Sequence, residues 1–277
     1  GVYHQTFGMA GCVNLVGGGN SPVLEYDRAV IRAACAYLEQ DHDKPQCLLV
    51  GTEGPHFPYV APTELFDFYR DKVTPPASWE PEGADPNPLL DAKRQRLRCS
   101  PVTGDEEAVD TDLMLAARAA YFGMITEQDR HVGTVRDAWD AYLQRMNREG
   151  VFIYSSDHGD TCGEHNIFGK QTFYEGSVRI PLLMEGAGIR SGCIIRSPVS
   201  IMDIGPSICE LAGVTPPAGQ DGISFVNALR EGENLPDRPV YSEWIQVFEG
   251  RPVPARMVRC GRWKLTHYED QTLPDSL

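Results

Sequence analysis

The chain has 277 residues, 42% of them apolar, which is enough for one large hydrophobic core or two modest ones. Its 25 Lys and Arg stand against 39 Asp and Glu, a net charge of −14. With no basic cluster to offset it, that balance argues against nucleic acid or an anionic membrane as partner and leaves any anionic substrate dependent on a few local cations.

No run is long and apolar enough to cross a bilayer. The first residue is Gly1 rather than Met, so the native start is expected upstream and a missing signal peptide carries no weight. The eight cysteines, at 12, 35, 47, 99, 162, 193, 209 and 260, form no Cys-x-x-Cys pair and no zinc spacing. They read as mostly buried free thiols, which fits a reducing compartment.

In chain order, residues 1–24 contain Gly17-Gly18-Gly19 without the Gly-Lys-Ser/Thr of a phosphate loop, and read as a flexible segment. From Glu25 to Gln40, Ala29, Val30, Ala33, Ala34, Tyr37 and Leu38 recur at helical spacing. The run Cys47-Leu48-Leu49-Val50 predicts a strand, followed by the loop Gly54-Pro55-His56-Phe57-Pro58-Tyr59. Taken by itself, a His between prolines is ordinarily surface decoration.

Residues 71–110 are rich in Pro and charge, the pattern of a functional lid or a disordered insertion. Their basic part, Lys93-Arg94-Gln95-Arg96-Leu97-Arg98, reads as a solvated face. Asp110 or Thr111 then caps a long helix carrying Leu113, Ala117, Tyr121, Met124, Val132, Val135, Trp139, Tyr142 and Met146, with Gly150 suited to its end. That Met and aromatic stripe is core rather than a cofactor box.

Val151 to Ser155 predicts a buried strand that ends abruptly in Ser156-Asp157-His158-Gly159. In an open α/β sheet, ligands bind at the carboxyl ends of strands. Asp157 and His158 reach one point only if the backbone turns out of the strand there, a turn that Gly159 permits. A carboxylate and an imidazole together make a pair of metal ligands by type, and Lys170 offers a cation to an anion. The competing structural reading is an Asp that caps the next helix beside a His that satisfies the fold.

Further on, Arg179 to Met184 reads as a core strand, Glu175 and Arg179 as an i, i+4 pair, and Ser200 to Ala212 as a helix with Gly213 behind it. Pro239 to Trp244 predicts a strand, and Met257–Cys260 with Trp263–Tyr268 a hairpin turning at Gly261-Arg262.

The string Ser-Asp-His-Gly at 156–159, Gly-Glu-His at 163–165, Phe-Gly-Lys at 168–170 and the segment Phe173 to Leu183 resembles the sulfatase branch of the alkaline phosphatase superfamily. It is most similar to the choline-sulfatase and phosphonate-monoester-hydrolase group, where His follows the metal-binding Asp. The Pro-His-x-Pro loop at 55–58, the helix around Ala120 to Gly133, Asp203-x-x-Pro206-Ser207 with Gly213, and Asp221-Gly222-Ile223-Ser224 also match, over about residues 25 to 268.

The resemblance implies an α/β fold, an alkaline-phosphatase-like sheet with helices on both faces and the start of a small C-terminal antiparallel subdomain. The expected division is a flexible segment at 1–24, a core at 25–238 with the Pro-rich insertion at 71–110, and the C-terminal subdomain from 239 to 277. It implies a metal-dependent hydrolase of sulfate esters acting on small molecules, with Asp157 and His158 holding a divalent metal, calcium first and manganese or magnesium as alternatives. Lys170 would hold the sulfate oxygens and His56 would donate to the leaving oxygen. These four residues are expected to line one cleft.

The family's paired aspartates and its Cys/Ser-x-Pro/Ala-x-Arg motif, source of the formylglycine nucleophile, are not in this sequence. Cys99-Ser100-Pro101-Val102 comes nearest and lacks the Arg. The chain therefore reads as an internal and C-terminal part of a longer enzyme, inactive alone and prone to self-association if it leaves an apolar edge uncovered. Two other readings stay open: a phosphate or phosphonate ester hydrolase, and an inert structural or binding domain on an inherited scaffold.

Overall fold

The computed structural model describes residues 3–4, 15–79, 87–97 and 111–276. The chain forms two compact units. The first comprises Gly1–Arg148, Gly159–Lys170 and Tyr174–Ser177, and the second Glu149–His158, Gln171–Phe173 and Val178–Leu277.

In the first unit, strand β1 (Tyr3–His4) pairs antiparallel with β2 (Leu15–Gly18), which pairs parallel with β3 (Tyr59–Ala61). Parallel neighbours need a crossover, and helix α1 (Pro22–Leu38) supplies it. Ser21 caps α1 by accepting from the Leu24 N–H at 3.3 Å, and Pro22 fits the first turn because no intrahelical partner awaits its missing N–H. Helices α2 (Thr63–Arg70), α3 (Pro88–Leu97) and α4 (Thr111–Met146) follow. Val16, Tyr59, Ala61, Phe66, Met114, Ala117, Ala120, Met124 and Phe168 form its core.

Three expectations fail here for the same reason, namely that the deciding contact is distant in sequence. Leu15–Gly18 is a strand rather than part of a flexible segment. Its Gly18 lets the main chain of α2 approach, since a Cβ there would lie 3.0 Å from Thr63 Cα. No strand forms at Cys47–Val50, and Leu49 is 93% exposed. An extended apolar run becomes a strand only with a ladder partner. Lys93 and Arg94, assigned to a solvated face, are buried within the Pro-rich stretch, part of which is α3. Cys12, Cys99 and Asp110 lie outside the described residues.

Helix α4 buries a stripe of small residues, Ala117, Ala120 and Gly123, so that it can lie against β3 and α2. A Cβ on Gly123 would stand 2.7 Å from Ala61 Cβ and 3.3 Å from the Leu65 carbonyl carbon, neither of which has a rotamer to escape into. Overpacking of this kind costs about 1–3 kcal/mol against about 1 kcal/mol of helix propensity regained. Gly123→Ala is expected to destabilise the protein on balance, read as a lower midpoint in urea at unchanged slope.

The second unit opens with β4 (Val151–Ser155), antiparallel to β5 (Leu182–Gly186) from Val151↔Gly186 to Ser155↔Leu182. The second strand thus begins three residues later than the sequence pattern suggests. A short helix α5 (Glu175–Val178) precedes β5, and a 3-10 turn at Ile201–Asp203, whose reciprocal cap joins Ser200 and Asp203, leads into α6 (Ile204–Leu211). Gly213 adopts φ 68° just beyond the end of that helix.

After the short helix Val226–Glu231 come β6 (Val240–Phe248), β7 (Arg251–Cys260) and β8 (Trp263–Tyr268), an antiparallel sheet in that order. Glu249 and Gly250, at φ 48° and 74°, close the β6–β7 turn with the twist that two-residue hairpins prefer. Period-two alternation buries Val253, Ala255, Met257, Thr266 and Tyr268 on one face. On the other face Tyr241, Ile245, Val247 and Trp263 are each more than half exposed.

Candidate functional site

Asp157 and His158 stand just past the end of β4, in the second unit. Asp157 Oδ1 accepts the His158 N–H at 2.9 Å, and His158 Nε2 lies 3.3 Å from Asp157 Oδ2. The Ser156 hydroxyl donates to the His158 carbonyl at 2.7 Å, so the turn is closed by its own side chains. The Asp157 side chain is 79% exposed and that of His158 36%.

The chain does turn out of the strand here, yet Gly159 serves a different end from the one expected. Its backbone is not left-handed. A Cβ would lie 2.2 Å from the Gly176 carbonyl oxygen, while its N–H donates to Ser177 O at 2.8 Å. Close main-chain approach, not positive φ, requires glycine at this position.

His56 and Lys170 belong to the first unit, on separate loops. His56 closes a turn with its N–H on Glu53 O at 3.0 Å, and its Nδ1 lies 2.8 Å from Phe57 O. A carbonyl only accepts, so Nδ1 carries the proton, leaving Nε2 to accept when the ring is neutral and to donate when it is charged.

The loop is held from beneath by Asp27 of α1, fully buried, whose two carboxylate oxygens accept the N–H groups of Glu53 at 2.8 Å and Gly54 at 2.9 Å. Gln128 of α4 donates to the same carboxylate. A Cβ on Gly54 would lie 2.2 Å from Gln128 Nε2 and 2.6 Å from Asp27 Oδ2, so only glycine fits over this clamp. Periodicity marks neither Asp27 nor Gln128. A charged and an amide residue on otherwise buried helix faces are the only signal the sequence offers for them.

Lys170 follows Gly169 at the end of a loop that the buried Arg94 also secures. Arg94 Nε donates to His165 O at 2.9 Å, its Nη1 pairs with Asp91 at 2.8 Å, and its Nη2 lies 3.2 Å from Tyr174 Oη. The His165 ring stacks on Tyr174 with centroids 3.8 Å apart.

Within that loop, burial pushes the Cys162 thiol well above the ordinary thiol range, helped by the charges of Asp160 and Glu164 and opposed by Arg118. It therefore stays protonated and is no nucleophile, since thiolate is the reactive form. Of the six described cysteines, all unpaired, only Cys162 is buried, whereas Cys47, Cys193 and Cys260 are exposed. The expectation of mostly buried thiols does not hold for them.

Asp157 and His158 fit a divalent cation by donor type, one hard carboxylate and one imidazole. Among the described residues no group of three or more His, Cys, Asp and Glu comes together. The pair would thus fill two positions of the six to eight that calcium takes.

The family model described as Sulfatase matches residues 6–214, most of the chain, and the chain belongs to that family. A second model, the C-terminal part of N-sulphoglucosamine sulphohydrolase, matches residues 163–274. The choline-sulfatase of Rhizobium meliloti (strain 1021) is 31% identical over 256 residues, covering 88% of this chain and 48% of the relative. Arylsulfatase K of Rattus norvegicus is 29% identical over 272 residues, 91% of this chain and 46% of its own length. The chain spans about half the length of these curated relatives.

Among solved structures, the phosphonate monoester hydrolase of Silicibacter pomeroyi superposes with a TM-score of 0.74 at 22% identity, covering 92% of this chain and 53% of that one. The fold is accordingly the alkaline-phosphatase-like α/β fold of sulfatases, with a three-stranded antiparallel sheet at its C-terminal end.

Proposed function

We propose that this chain carries part of the active site of a sulfate ester hydrolase. The observation that supports the reading most is the Asp157–His158 pair, closed on itself just beyond β4 with Asp157 largely exposed, in a chain of the sulfatase family. Asp157 and His158 would hold the divalent metal, which when bound supplies positive charge to the oxyanion of the ester. Lys170 would hold the anion through a compact, strongly hydrated ammonium. His56, with Nδ1 committed to Phe57 O, would present Nε2 to the leaving oxygen and, when charged, give it a proton. The nucleophile, a formylglycine, would come from outside these 277 residues.

Sulfate and phosphate esters present the same tetrahedral array of oxygens, so these four residues do not separate the two. A polypeptide that joins this chain to a formylglycine should be assayed against matched aryl sulfate and aryl phosphate with calcium, manganese or magnesium. We expect the sulfate to be preferred, and Asp157→Ala and Lys170→Ala each to lower kcat/KM by a factor of about 10²–10³, as removal of one oxyanion-stabilising group does elsewhere. Preference for the phosphate would turn the assignment to the phosphoester reading. Activity indifferent to both substitutions would remove these residues from the site, and no turnover of either ester would favour an inert scaffold.

A further inference from the structure

Lys170 sits at the end of a loop that passes repeatedly through left-handed backbone, at Cys162 (φ 45°), Gly163 (90°), His165 (55°), Asn166 (58°) and Gly169 (78°). Such conformations persist only where the surroundings over-determine them. Asp160 is the residue that does this across the length of the loop. Its Oδ1 accepts the N–H of Cys162 at 2.7 Å and of Gly169 at 3.0 Å, and its Oδ2 accepts the Tyr59 hydroxyl at 2.8 Å.

Thr161 completes the grip, its N–H reaching Gly169 O at 2.8 Å and its hydroxyl lying 2.7 Å from Ile167 O. The main chain of Gly169 is thus held at its N–H by Asp160 and at its carbonyl by Thr161, one residue before Lys170. Tyr59, fully buried in β3 with its ring centroid 6.0 Å from those of both Phe168 and Tyr121, lies three residues beyond His56. One hydroxyl therefore ties the loop of Lys170 to the strand into which the loop of His56 runs.

The geometry points to Asp160 as a positioning residue, which fixes where Lys170 leaves its loop and, through Tyr59, sets that point against the strand following His56. This rests on the assignment of Lys170 as the cation that holds the anion. The bonds need acceptors more than charge. In Asp160→Asn the amide oxygen still accepts both N–H groups and the amide nitrogen donates to Tyr59, whereas Asp160→Ala loses all three contacts.

The test uses the 277-residue protein, with hydrogen exchange at the Gly169 and Cys162 amides and NMR titration with inorganic sulfate in the wild type and in Asp160→Ala, Asp160→Asn, Tyr59→Phe and Lys170→Ala. Loss of the part-buried acceptor should speed Gly169 exchange in Asp160→Ala by about 10–100-fold over other amides of the same unit. Sulfate affinity should fall with it by about tenfold. Asp160→Asn should restore both to within about threefold, and Tyr59→Phe should fall between.

Unchanged Gly169 exchange in Asp160→Ala overturns the proposal. So does acceleration spread evenly over the unit with sulfate affinity intact, the mark of a merely structural residue. If Lys170→Ala binds sulfate as well as the wild type, the anion assignment fails instead, while the exchange data still decide whether Asp160 fixes the loop.

Discussion

Purified as the 277-residue polypeptide, the protein is expected to hydrolyse neither an aryl sulfate nor an aryl phosphate, whether calcium, manganese or magnesium is added. Two shortfalls compound. Asp157 and His158 would offer two ligands, and among the described residues no third or fourth His, Cys, Asp or Glu joins them. A hard cation held by one carboxylate and one imidazole keeps most of its water and binds weakly.

The covalent step is expected to lack a nucleophile as well. Cys162 is buried and held neutral, and none of the eight cysteines stands in the sulfatase nucleophile motif. Loss of a nucleophile costs on the order of 10⁶ in kcat in other covalent hydrolases. His56 and Lys170 are not expected to replace one, since the chemistry proposed for them is proton donation and charge stabilisation. Turnover above background that vanishes in both Asp157→Ala and Lys170→Ala would show the opposite, that the site works with these residues alone.

The largest effect on stability is expected at Asp203, in the second unit. Its carboxylate is fully buried and accepts the Ser200 N–H at 2.7 Å and the Ile223 N–H at 2.9 Å, and it pairs with the Arg238 guanidinium. One side chain therefore caps the turn into α6, pins the Asp221–Ser224 loop and neutralises a largely buried cation. Asp203→Ala leaves two N–H groups without their acceptor and Arg238 without its counter-ion, for a loss of about 3–5 kcal/mol.

Urea denaturation monitored on the second unit would measure it, and a loss under about 1 kcal/mol would show that water replaces the carboxylate. In an Arg238→Met background the same substitution should cost less, because no unpaired charge is left behind. The difference is the coupling energy of the pair.

Some of this is legible in residue order because the signals are local. Helices α1 and α4 follow from apolar spacing, β4 from a β-branched and aromatic run, and the β7–β8 hairpin from Gly261-Arg262 between two strand patterns. Asp157 and His158 stand out because they are adjacent, and adjacency needs no fold to bring them together. The family itself is legible for the same reason, its motifs being short and nearly contiguous.

Tertiary structure decided the rest. Cys47–Val50 has strand composition but no ladder partner among the described residues, and Lys93-Arg94 has surface composition but lies buried, with Arg94 on the carbonyl of His165, 71 residues away. Asp27 and Asp160 reach main-chain N–H groups or hydroxyls 26 and 101 residues distant. A buried carboxylate must find donors wherever the fold presents them, because an unmet charge in the interior costs several kcal/mol. Composition and spacing determined which residues could do the chemistry, and long-range satisfaction of buried polar groups determined how their loops are held.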